Sequence, residues 1–273
     1  MKAGKFILNL EEAIHVMGIL NITPDSFSDG GHYNEIEAAV QRAEQMEADG
    51  VHIIDIGGES TRPGYTPVSI EEEVSRTAPV IEAVSAKVNL PISIDTFKAR
   101  TAERAVEAGA SIINDIWGAK RDPEIAAVAA QKQVPIILMH NRVEKNYTNF
   151  MQDCLRDLDE SITVAKKAGV ADDQIILDPG IGFAKTMEQN IEMMKKLDQI
   201  VLLGYPVLLG TSRKRVIDYV LNVPVEERME GTGATCCFGA QKGCRIMRVH
   251  DVKPIARMMK MMDALIGEEP VRG

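Results

Sequence analysis

Short aliphatic runs alternate with longer polar and amphipathic segments along most of the chain. Eight of these runs have the length of buried strands, and we predict strands at 15–20, 51–56, 91–94, 111–114, 135–139, 174–177, 207–210 and 245–249. A shorter segment at 5–10 precedes them as a strand or lid, and residues 268–273 form a tail. The pattern therefore repeats a unit of strand, polar loop and amphipathic helix.

Residues that favour helix ends mark the segments between the strands. Asn34 is a predicted N-cap, Ser69 with Glu72 and Thr186 with Gln189 have capping-box spacing, and Pro123 follows the N-cap residue Asp122. We predict helices at 34–49, 69–86, 99–108, from 122, 149–168, from 186, 212–224, 225–242 and 251–266, with an interruption at 231–233. Glycines after several of these segments are typical helix stops.

Eight strands alternating with helices indicate parallel βαβ units and an α/β protein. An open doubly wound sheet usually has fewer strands and a glycine fingerprint after its first strand, a pattern that Gly57-Gly58 does not meet. We therefore predict a closed (β/α)8 TIM barrel in a single domain, 1–273. Its loops after the first two strands are long, since the polar stretch 21–33 has thirteen residues where about 2–6 are usual.

Composition narrows the function classes. Of the 273 residues, 45% are hydrophobic but only 4% aromatic, which predicts an aliphatic core. The net charge of -9 argues against broad nucleic-acid binding, although a few cations in a pocket can still bind one phosphate-sized ligand. No stretch approaches the roughly 20 apolar residues of a membrane span.

The cysteines and the N-terminus indicate the compartment. Cys154, Cys236, Cys237 and Cys244 form no CxxC pair, which is typical of buried free thiols in a reducing compartment. The first ten residues lack the apolar run of a signal peptide. We expect a cytoplasmic protein.

Polar residues end all eight predicted strands. The active site of a barrel lies at these carboxyl ends. The residues are Asn21, Asp55, Asp95, Asn114-Asp115, His140-Asn141, Asp178, Thr211 to Lys214, and Arg248 with His250. One such residue is usually a cap, but eight buried polar ends favour a shared ligand, because buried polar groups need partners.

Two chemistries can be distinguished within this set. One set suits a 2-aminopyrimidinone ring, because a carboxylate can accept two parallel hydrogen bonds from its amino and ring N–H groups. Its members are Asp95, Asn114, Asp178 and Lys214. A second group, with the helix N-terminus after the eighth strand, suits a phosphate or pyrophosphate. Its members are Arg62, Arg248 and His250.

The first loop adds oxygen ligands. Asn21 with the loop carboxylates Asp25 and Asp29 could hold Mg²⁺, which favours oxygens together with substrate phosphates. The alternative is a solvated loop with Asx turns.

Other polar residues have structural interpretations. We expect Asp55 and Asp115 to support neighbouring groups, whereas His140 could either pack or contact the ligand. His15 and His52 are predicted to be structural, and the fourteen methionines to pack helices.

Long motifs carry a family resemblance. Residues 18–31 and 55–64 resemble the first and second signatures of the dihydropteroate synthases. The similarity continues through 93–96, 114–115, 177–183, 212–214 and 248–250, which is essentially the whole chain. The resemblance implies an enzyme of folate biosynthesis that joins 6-hydroxymethyl-7,8-dihydropterin diphosphate to p-aminobenzoate, releasing pyrophosphate and 7,8-dihydropteroate.

The resemblance also implies roles. The pterin would contact Asp95, Asn114, Asp178 and Lys214, and the diphosphate Asn21, Arg62, Arg248 and His250, with Mg²⁺ at Asn21. The p-aminobenzoate side, where sulfonamides also bind in this family, would comprise Thr61, Pro63, Phe27, Phe183 and the helix start at Lys214-Arg215. Ser212 is a further predicted substrate-binding residue. Family members are usually homodimers. Arg215 and Asp218 depart from the family's usual Ser and Gly.

For the mechanism we expect an ionising displacement, because no activated cysteine or hydroxyl is evident. Asp95, Lys214, Arg62, Asp25 and Asp29 are the predicted catalytic residues. Two alternatives stay open. A pterin-dependent methyltransferase would not need the 60–64 loop or the phosphate site, and a non-catalytic pterin-binding paralogue would bind pterin without turnover.

Overall fold

The computed structural model describes residues 1–22, 31–59 (side chains from 35) and 68–267. The two loops predicted to be long, after the first and second barrel strands, lie largely outside them.

The described residues form a two-stranded hairpin followed by eight parallel strands and intervening helices. The strands are β1 Lys2–Ala3, β2 Phe6–Ile7, β3 His15–Asn21, β4 Ile53–Gly57, β5 Ile92–Asp95, β6 Ile112–Asp115, β7 Ile136–Met139, β8 Ile175–Asp178, β9 Leu208–Leu209 and β10 Ile246–Val249. The helices are α1 Gly31–Ala48, α2 Ile70–Ser85, α3 Ala99–Glu107, α4 Glu124–Lys132, α5 Phe150–Lys167, α6 Met187–Lys195, α7 Leu197–Val201, α8 Arg215–Leu221, α9 Met229–Gln241 and α10 Val252–Ile266.

The eight parallel strands form a nearly closed barrel. Their order is β8-β7-β6-β5-β4-β3-β10-β9, and a parallel bridge between Leu177 and Val207 joins the two ends. Helices follow the strands on the outside, as right-handed βαβ connections require. The predicted (β/α)8 fold is confirmed.

Strand alternation divides the barrel interior into two layers. The amino-terminal layer is apolar, and the N-terminal segment packs against it through Ala3, Leu8 and Leu10. One residue from most strands fills this layer: Met17, Ile53, Ile112, Ile137, Ile176, Leu208 and Ile246. Because side chains on one face of a strand recur every two residues, the next inward positions of β4, β5, β6, β8 and β10 are polar. These positions are Asp55, Asp95, Asn114, Asp178 and Arg248, and they form the carboxyl-terminal layer.

Helix α9 is continuous, so the predicted interruption at 231–233 is wrong. Gly231 and Gly233 lie inside the helix because neighbouring helices approach too closely for a side chain. A Cβ on Gly231 would lie 2.3 Å from Ile217 of α8, and one on Gly233 would lie 2.6 Å from Met258 of α10. Tight packing therefore outweighs the low helix propensity of glycine.

Three predicted helix starts also differ from the structure. Helix α1 begins at Gly31 rather than at Asn34, and α8 begins at Arg215 because the Ser212 hydroxyl contacts His250 instead of capping the helix. The Asp122 carboxylate accepts a hydrogen bond from the Ala99 backbone N–H, 2.7 Å away, and therefore binds the start of α3 rather than capping α4. The starts marked by Ser69, Asn149 and Thr186 are confirmed by side-chain capping bonds.

The four cysteines are free, and three of them are buried. None of the helices in the described part of the chain combines the length and apolarity needed to cross a membrane.

Candidate active site

Arg248 joins the carboxyl-terminal layer across three strands. Its Nε donates to Asp55 Oδ2 and its Nη2 to Asp95 Oδ2, each at 2.6 Å. Asn114 Nδ2 also donates to Asp55 Oδ2, at 3.2 Å. The sequence placed Arg248 with a phosphate and Asp95 with a pterin-like ring, and the structure brings the two into contact. The two predicted halves of the site are therefore continuous.

The carboxylates of this layer keep unused hydrogen-bonding capacity. Asp95 Oδ1 and Asp55 Oδ1 are buried and have no hydrogen-bond partner among the described residues. Burial raises the pKa of Asp95 to about 7, against the opposing effect of Arg248. A buried acceptor of this kind costs free energy unless a ligand supplies the missing donor.

Asp178 begins the loop that leads from β8 to α6. Its Oδ1 accepts from the Gly180 N–H at 2.7 Å, and burial raises its pKa while the nearby Lys214 ammonium lowers it. Gly180 has φ +66, and a Cβ there would lie 2.0 Å from the His140 carbonyl oxygen. Only glycine fits this position, so the loop backbone packs directly against the end of β7.

Lys214 reaches this loop from the start of α8. Its ammonium donates to the Ile181 carbonyl and lies 4.9 Å from the centre of the Phe183 ring, in a cation–π arrangement. Burial lowers the pKa of Lys214 to about 8, although Asp178 raises it. The structure thus brings Asp178, Phe183 and Lys214 to one wall of the site.

Ser212 and His250 lie beside each other at the ends of β9 and β10. The His250 backbone N–H donates to Ser212 Oγ at 3.2 Å, and the same hydroxyl is hydrogen-bonded to His250 Nδ1, 2.9 Å away. The adjacent Arg213 is held by Asp251 through two hydrogen bonds of 3.0 and 2.6 Å.

Asn21 ends β3 with an exposed side chain, opposite Gly57 of β4. Strand β3 also pairs with β10, which carries Arg248. An oxygen ligand at this position lies on the same rim of the barrel as the Ser212–His250 pair. Among the described residues no group of three or more His, Cys, Asp or Glu side chains could hold a metal by itself.

Six predicted site residues lie outside the described residues: Asp25, Phe27, Asp29, Thr61, Arg62 and Pro63. The residues that flank the second of these segments are tied together. Lys98 donates to the Glu59 carboxylate and, at 2.9 Å, to the Val68 carbonyl, and it also pairs with Glu73 at 2.8 Å. Sequence reasoning missed Lys98, because nothing local distinguishes it from a surface lysine.

Two further strand-end residues, Asp115 and His140, have hydrogen-bond partners within the protein. Asp115 accepts from the backbone N–H groups of Trp117 and Ala119, at 2.8 and 2.6 Å, and thereby closes a turn. His140 is fully buried and contacts Asp157 and Lys185.

The two other histidines that the sequence marked as structural lie at the opposite end of the barrel. The rings of His15 and His52 are 4.9 Å apart, and His52 Nδ1 accepts from the Val16 N–H at 3.0 Å. His15 starts β3 and is buried.

The two departures from the family pattern are both on α8. Arg215 is exposed at the first position of the helix. Asp218 pairs with Arg228 at 3.2 Å and so connects α8 to the residue that precedes α9.

Comparison with known proteins identifies the family. The model of the pterin binding enzyme family matches residues 17–250. The dihydropteroate synthase of Bacillus subtilis (strain 168) is 61% identical over 261 residues, which cover 96% of this chain and 92% of that protein. The chain belongs to the dihydropteroate synthase family.

Solved structures of this family superpose closely. Dihydropteroate synthase from Clostridium difficile, solved in the presence of pteroic acid, has a TM-score of 0.93 and 44% identity, covering 95% of this chain and 99% of that one. The Xanthomonas albilineans enzyme with 4-aminobenzoic acid has a TM-score of 0.90 and 39% identity, covering 96% of each chain. The Yersinia pestis enzyme in a sulfonamide drug complex has a TM-score of 0.90 and 38% identity, covering 97% and 98%.

Proposed function

We propose that this protein condenses 6-hydroxymethyl-7,8-dihydropterin diphosphate with p-aminobenzoate, giving 7,8-dihydropteroate and pyrophosphate. The observation that carries the proposal is the polar layer at the carboxyl end of the barrel, where Asp95 has a buried oxygen without a partner among the described residues. Family membership and the relatives' complexes with pteroic acid and 4-aminobenzoic acid support the same substrates.

The pterin ring fits the layer formed by Asp95, Asn114, Asp178 and Lys214. Carboxylates accept the amino and ring N–H groups of a 2-aminopyrimidinone in pairs, and amide and ammonium groups donate to its carbonyl and ring nitrogens. Three of the four side chains are buried, and Lys214 is half-buried. Water competes weakly at such a site, so each hydrogen bond discriminates strongly.

The diphosphate fits the adjacent rim, where Arg248, His250 and Ser212 lie, and Arg62 joins them by resemblance. Arg248 is already held by two carboxylates, so its guanidinium is oriented before the substrate arrives. Asn21 supplies a carbonyl oxygen on the same rim, which fits Mg²⁺ because this ion commonly takes one or two protein oxygens and completes its shell with phosphates and water. Bound there, Mg²⁺ would neutralise charge on the diphosphate, and Asp25 and Asp29 are further proposed ligands or catalytic groups.

The aromatic amine fits beside Phe183 and Lys214, together with Phe27, Thr61 and Pro63 by resemblance. Arg215, exposed at the start of α8, offers a cation to the benzoate carboxylate, and the Phe183 ring offers an apolar face. A sulfonamide has the same aniline shape, so we propose that sulfonamides compete at this position. The Y. pestis relative in a sulfonamide complex supports this.

We propose an ionising displacement as the mechanism. The bond between the pterin methylene carbon and the diphosphate oxygen breaks, and the electron pair leaves with the diphosphate. Three carboxylates, Asp55, Asp95 and Asp178, face two cations, Arg248 and Lys214, so the layer favours positive charge on the pterin. The aniline nitrogen then attacks the methylene carbon and releases a proton.

One assay tests the activity and separates the alternatives. Purified protein is given the pterin diphosphate and Mg²⁺, with and without p-aminobenzoate, and both pyrophosphate and dihydropteroate are measured. Formation of dihydropteroate that requires p-aminobenzoate is the expected result. Pterin binding without turnover would indicate a non-catalytic paralogue, and methyl transfer from a methylfolate to a corrinoid protein would indicate a methyltransferase.

Positional isotope exchange tests the mechanism. We expect oxygen label in the diphosphate to scramble in the absence of p-aminobenzoate, because ionisation precedes attack. Complete absence of scrambling, with tight pterin binding demonstrated, would favour direct displacement.

We propose that the protein is a homodimer packed through its last helices. Of the eleven large apolar side chains that are exposed in the described part of the chain, eight lie between 219 and 266. They are Tyr219, Val220, Leu221, Val225, Phe238, Met261, Leu265 and Ile266. Large contiguous apolar patches usually mark an interface, and the concentration of exposed apolar side chains in these helices supports the proposal. Sedimentation of the wild type and of Leu265→Lys tests the proposal, and a wild-type monomer at micromolar concentration would contradict it.

We also propose a reducing, cytoplasmic location. The four free cysteines, of which three are buried, support it because oxidising compartments favour disulfides. Fractionation of the producing cell tests this proposal.

A further inference from the structure

We propose that Lys185 is a positioning residue that fixes the loop between β8 and α6, residues 179–185, and thereby sets the affinity for the aromatic amine rather than for the pterin. The proposal rests on the proposed function, since it assigns Phe183 to the amine half of the site. Lys185 has no role in the mechanism above.

Lys185 is buried beneath the loop, with only 2% of its surface exposed. Its ammonium donates to the Gly180 carbonyl at 2.9 Å and to the Phe183 carbonyl at 3.1 Å, and it lies 2.8 Å from His140 Nδ1. These three contacts match the three N–H groups of an ammonium. The single ammonium of Lys185 thus binds two carbonyl groups of the loop, which belong to residues three positions apart.

Further hydrogen bonds connect the Lys185 ammonium to β7 and α5 through His140 and Asp157. His140 follows β7 directly, and its Nε2 lies 3.0 Å from Asp157 Oδ2 on α5. Arg142 holds both oxygens of Asp157, at 2.5 and 3.0 Å. Burial lowers the pKa of His140 to about 4, so the ring is neutral and accepts from Lys185 while donating to Asp157.

The loop is held from two sides. Lys185 binds the carbonyls of Gly180 and Phe183 from beneath, and Lys214 binds the Ile181 carbonyl from the side of the substrate site. Tyr147 adds a hydrogen bond from its hydroxyl to the Ala184 carbonyl, at 2.9 Å. The position of the Phe183 ring beside Lys214 therefore depends on the buried lysine.

The backbone of Asp178 is held by strand pairing, whereas residues 180–183 depend on Lys185. Asp178 is the last residue of β8, it pairs in register with Met139, and its carbonyl accepts from the His140 N–H at 2.8 Å. Loss of the ammonium therefore frees Phe183 while strand pairing keeps the backbone of Asp178 in place. This difference separates the amine half of the site from the pterin half.

The test compares Lys185→Met with Lys195→Met, a matched change of an exposed lysine on α6. We expect Lys185→Met to raise the KM for p-aminobenzoate about tenfold or more, because a freed loop must be ordered when the amine binds. The Kd of the pterin diphosphate, measured by calorimetry, should change less than about twofold. Lys195→Met should leave both unchanged.

Two results would overturn the proposal. An unchanged KM in a folded Lys185→Met protein would leave the lysine a purely structural role, and equal weakening of amine and pterin binding would show that it supports the whole pocket. If Lys185→Met does not fold, Tyr147→Phe, which removes one bond to the same loop, should raise the KM about two- to fourfold with the pterin Kd unchanged, and no change would again overturn it.

Equilibrium binding measurements test the positioning role of Lys185 separately from the proposed enzymatic activity. A sulfonamide titrated in the presence of pterin and pyrophosphate reports the amine half without turnover. A wild type that binds the sulfonamide but does not form dihydropteroate would contradict the proposed activity alone. Equal sulfonamide affinity of the wild type and Lys185→Met would contradict the positioning role alone.

Discussion

The loop between β8 and α6 separates two buried polar regions that use their charges differently. On one side Lys185, His140, Asp157 and Arg142 satisfy one another, and both oxygens of Asp157 accept hydrogen bonds. On the other side Asp95 keeps a buried oxygen without a partner among the described residues. A buried polar group that is satisfied stabilises the fold, whereas an unsatisfied one costs free energy until a ligand binds.

The two lysines that hold this loop show the same contrast. Burial lowers the pKa of both, to about 7 for Lys185 and to about 8 for Lys214. Lys185 has three hydrogen-bond contacts, whereas the hydrogen bond of Lys214 within the described residues goes to Ile181 alone. The spare donors of Lys214 are available to a ligand, which supports its proposed role in substrate binding.

The largest expected effect comes from removing the unsatisfied carboxylate. Asp95→Ala should weaken binding of the pterin diphosphate about a thousandfold, because truncating a buried charged partner costs about 2–5 kcal/mol. Calorimetric Kd values measure this, with the exposed Asp173→Asn as a control that should bind normally. A loss below about tenfold would mean that the pterin does not contact this carboxylate.

The lysine pair should differ most clearly in stability. Lys185→Met should lower the free energy of unfolding by about 3 kcal/mol, because it leaves the Gly180 and Phe183 carbonyls and His140 Nδ1 without their buried donor. Lys214→Met should change it by less than about 1 kcal/mol, or raise it, since that charge is poorly satisfied without substrate.

Denaturant unfolding of the two lysine variants and the wild type measures the difference. Activity should follow the opposite order, with Lys214→Met the more impaired in kcat/KM for the pterin diphosphate. Equal destabilisation of both variants would contradict the distinction between the two regions.

Because the pKa of Asp95 is raised, we expect stability to fall and pterin affinity to rise as the pH increases. The folded-state pKa of Asp95, about 7, lies above the ordinary value of 3.8, because burial disfavours the charged form. Its contribution to stability is therefore full below about pH 4 and is lost as the pH rises through about 7. Binding needs the ionised form, which accepts the N–H groups of the pterin, so affinity should rise over the same range.

A pH profile of kcat/KM for the pterin diphosphate measures this dependence. We expect an acid limb that falls about tenfold per unit below pH 7. The limb should be absent from the residual activity of Asp95→Asn, which does not titrate. A limb that persists in that variant would assign it to another group.

The smallest effect is expected at the rim. Ser212→Ala removes two hydrogen bonds to His250 and should raise the Kd of the pterin diphosphate about three- to fivefold, because such neutral bonds contribute about 0.5–1.5 kcal/mol each and water replaces part of them. Binding of a pterin without the diphosphate is the matched measurement and should not change. Equal weakening of both ligands would place Ser212 at the ring rather than at the diphosphate.

The sequence by itself determined the barrel and the polar layer. Side chains alternate along a strand with a period of two, so an inward apolar residue such as Ile53 or Ile176 places the next inward residue, Asp55 or Asp178, closer to the carboxyl end of the strand. Helix starts that depend on a side chain three residues away, at Ser69, Asn149 and Thr186, were likewise predictable. These features are local, and local spacing encodes them.

Only the tertiary structure decided how the charges pair. Arg248 meets Asp55 and Asp95 across 193 and 153 residues of chain, and Asp122 serves α3 rather than its own helix. Lys185 is a buried anchor although its sequence neighbours give no such indication. Hydrogen-bond partners are chosen by proximity after packing, and residues far apart in the chain become neighbours only when the barrel closes.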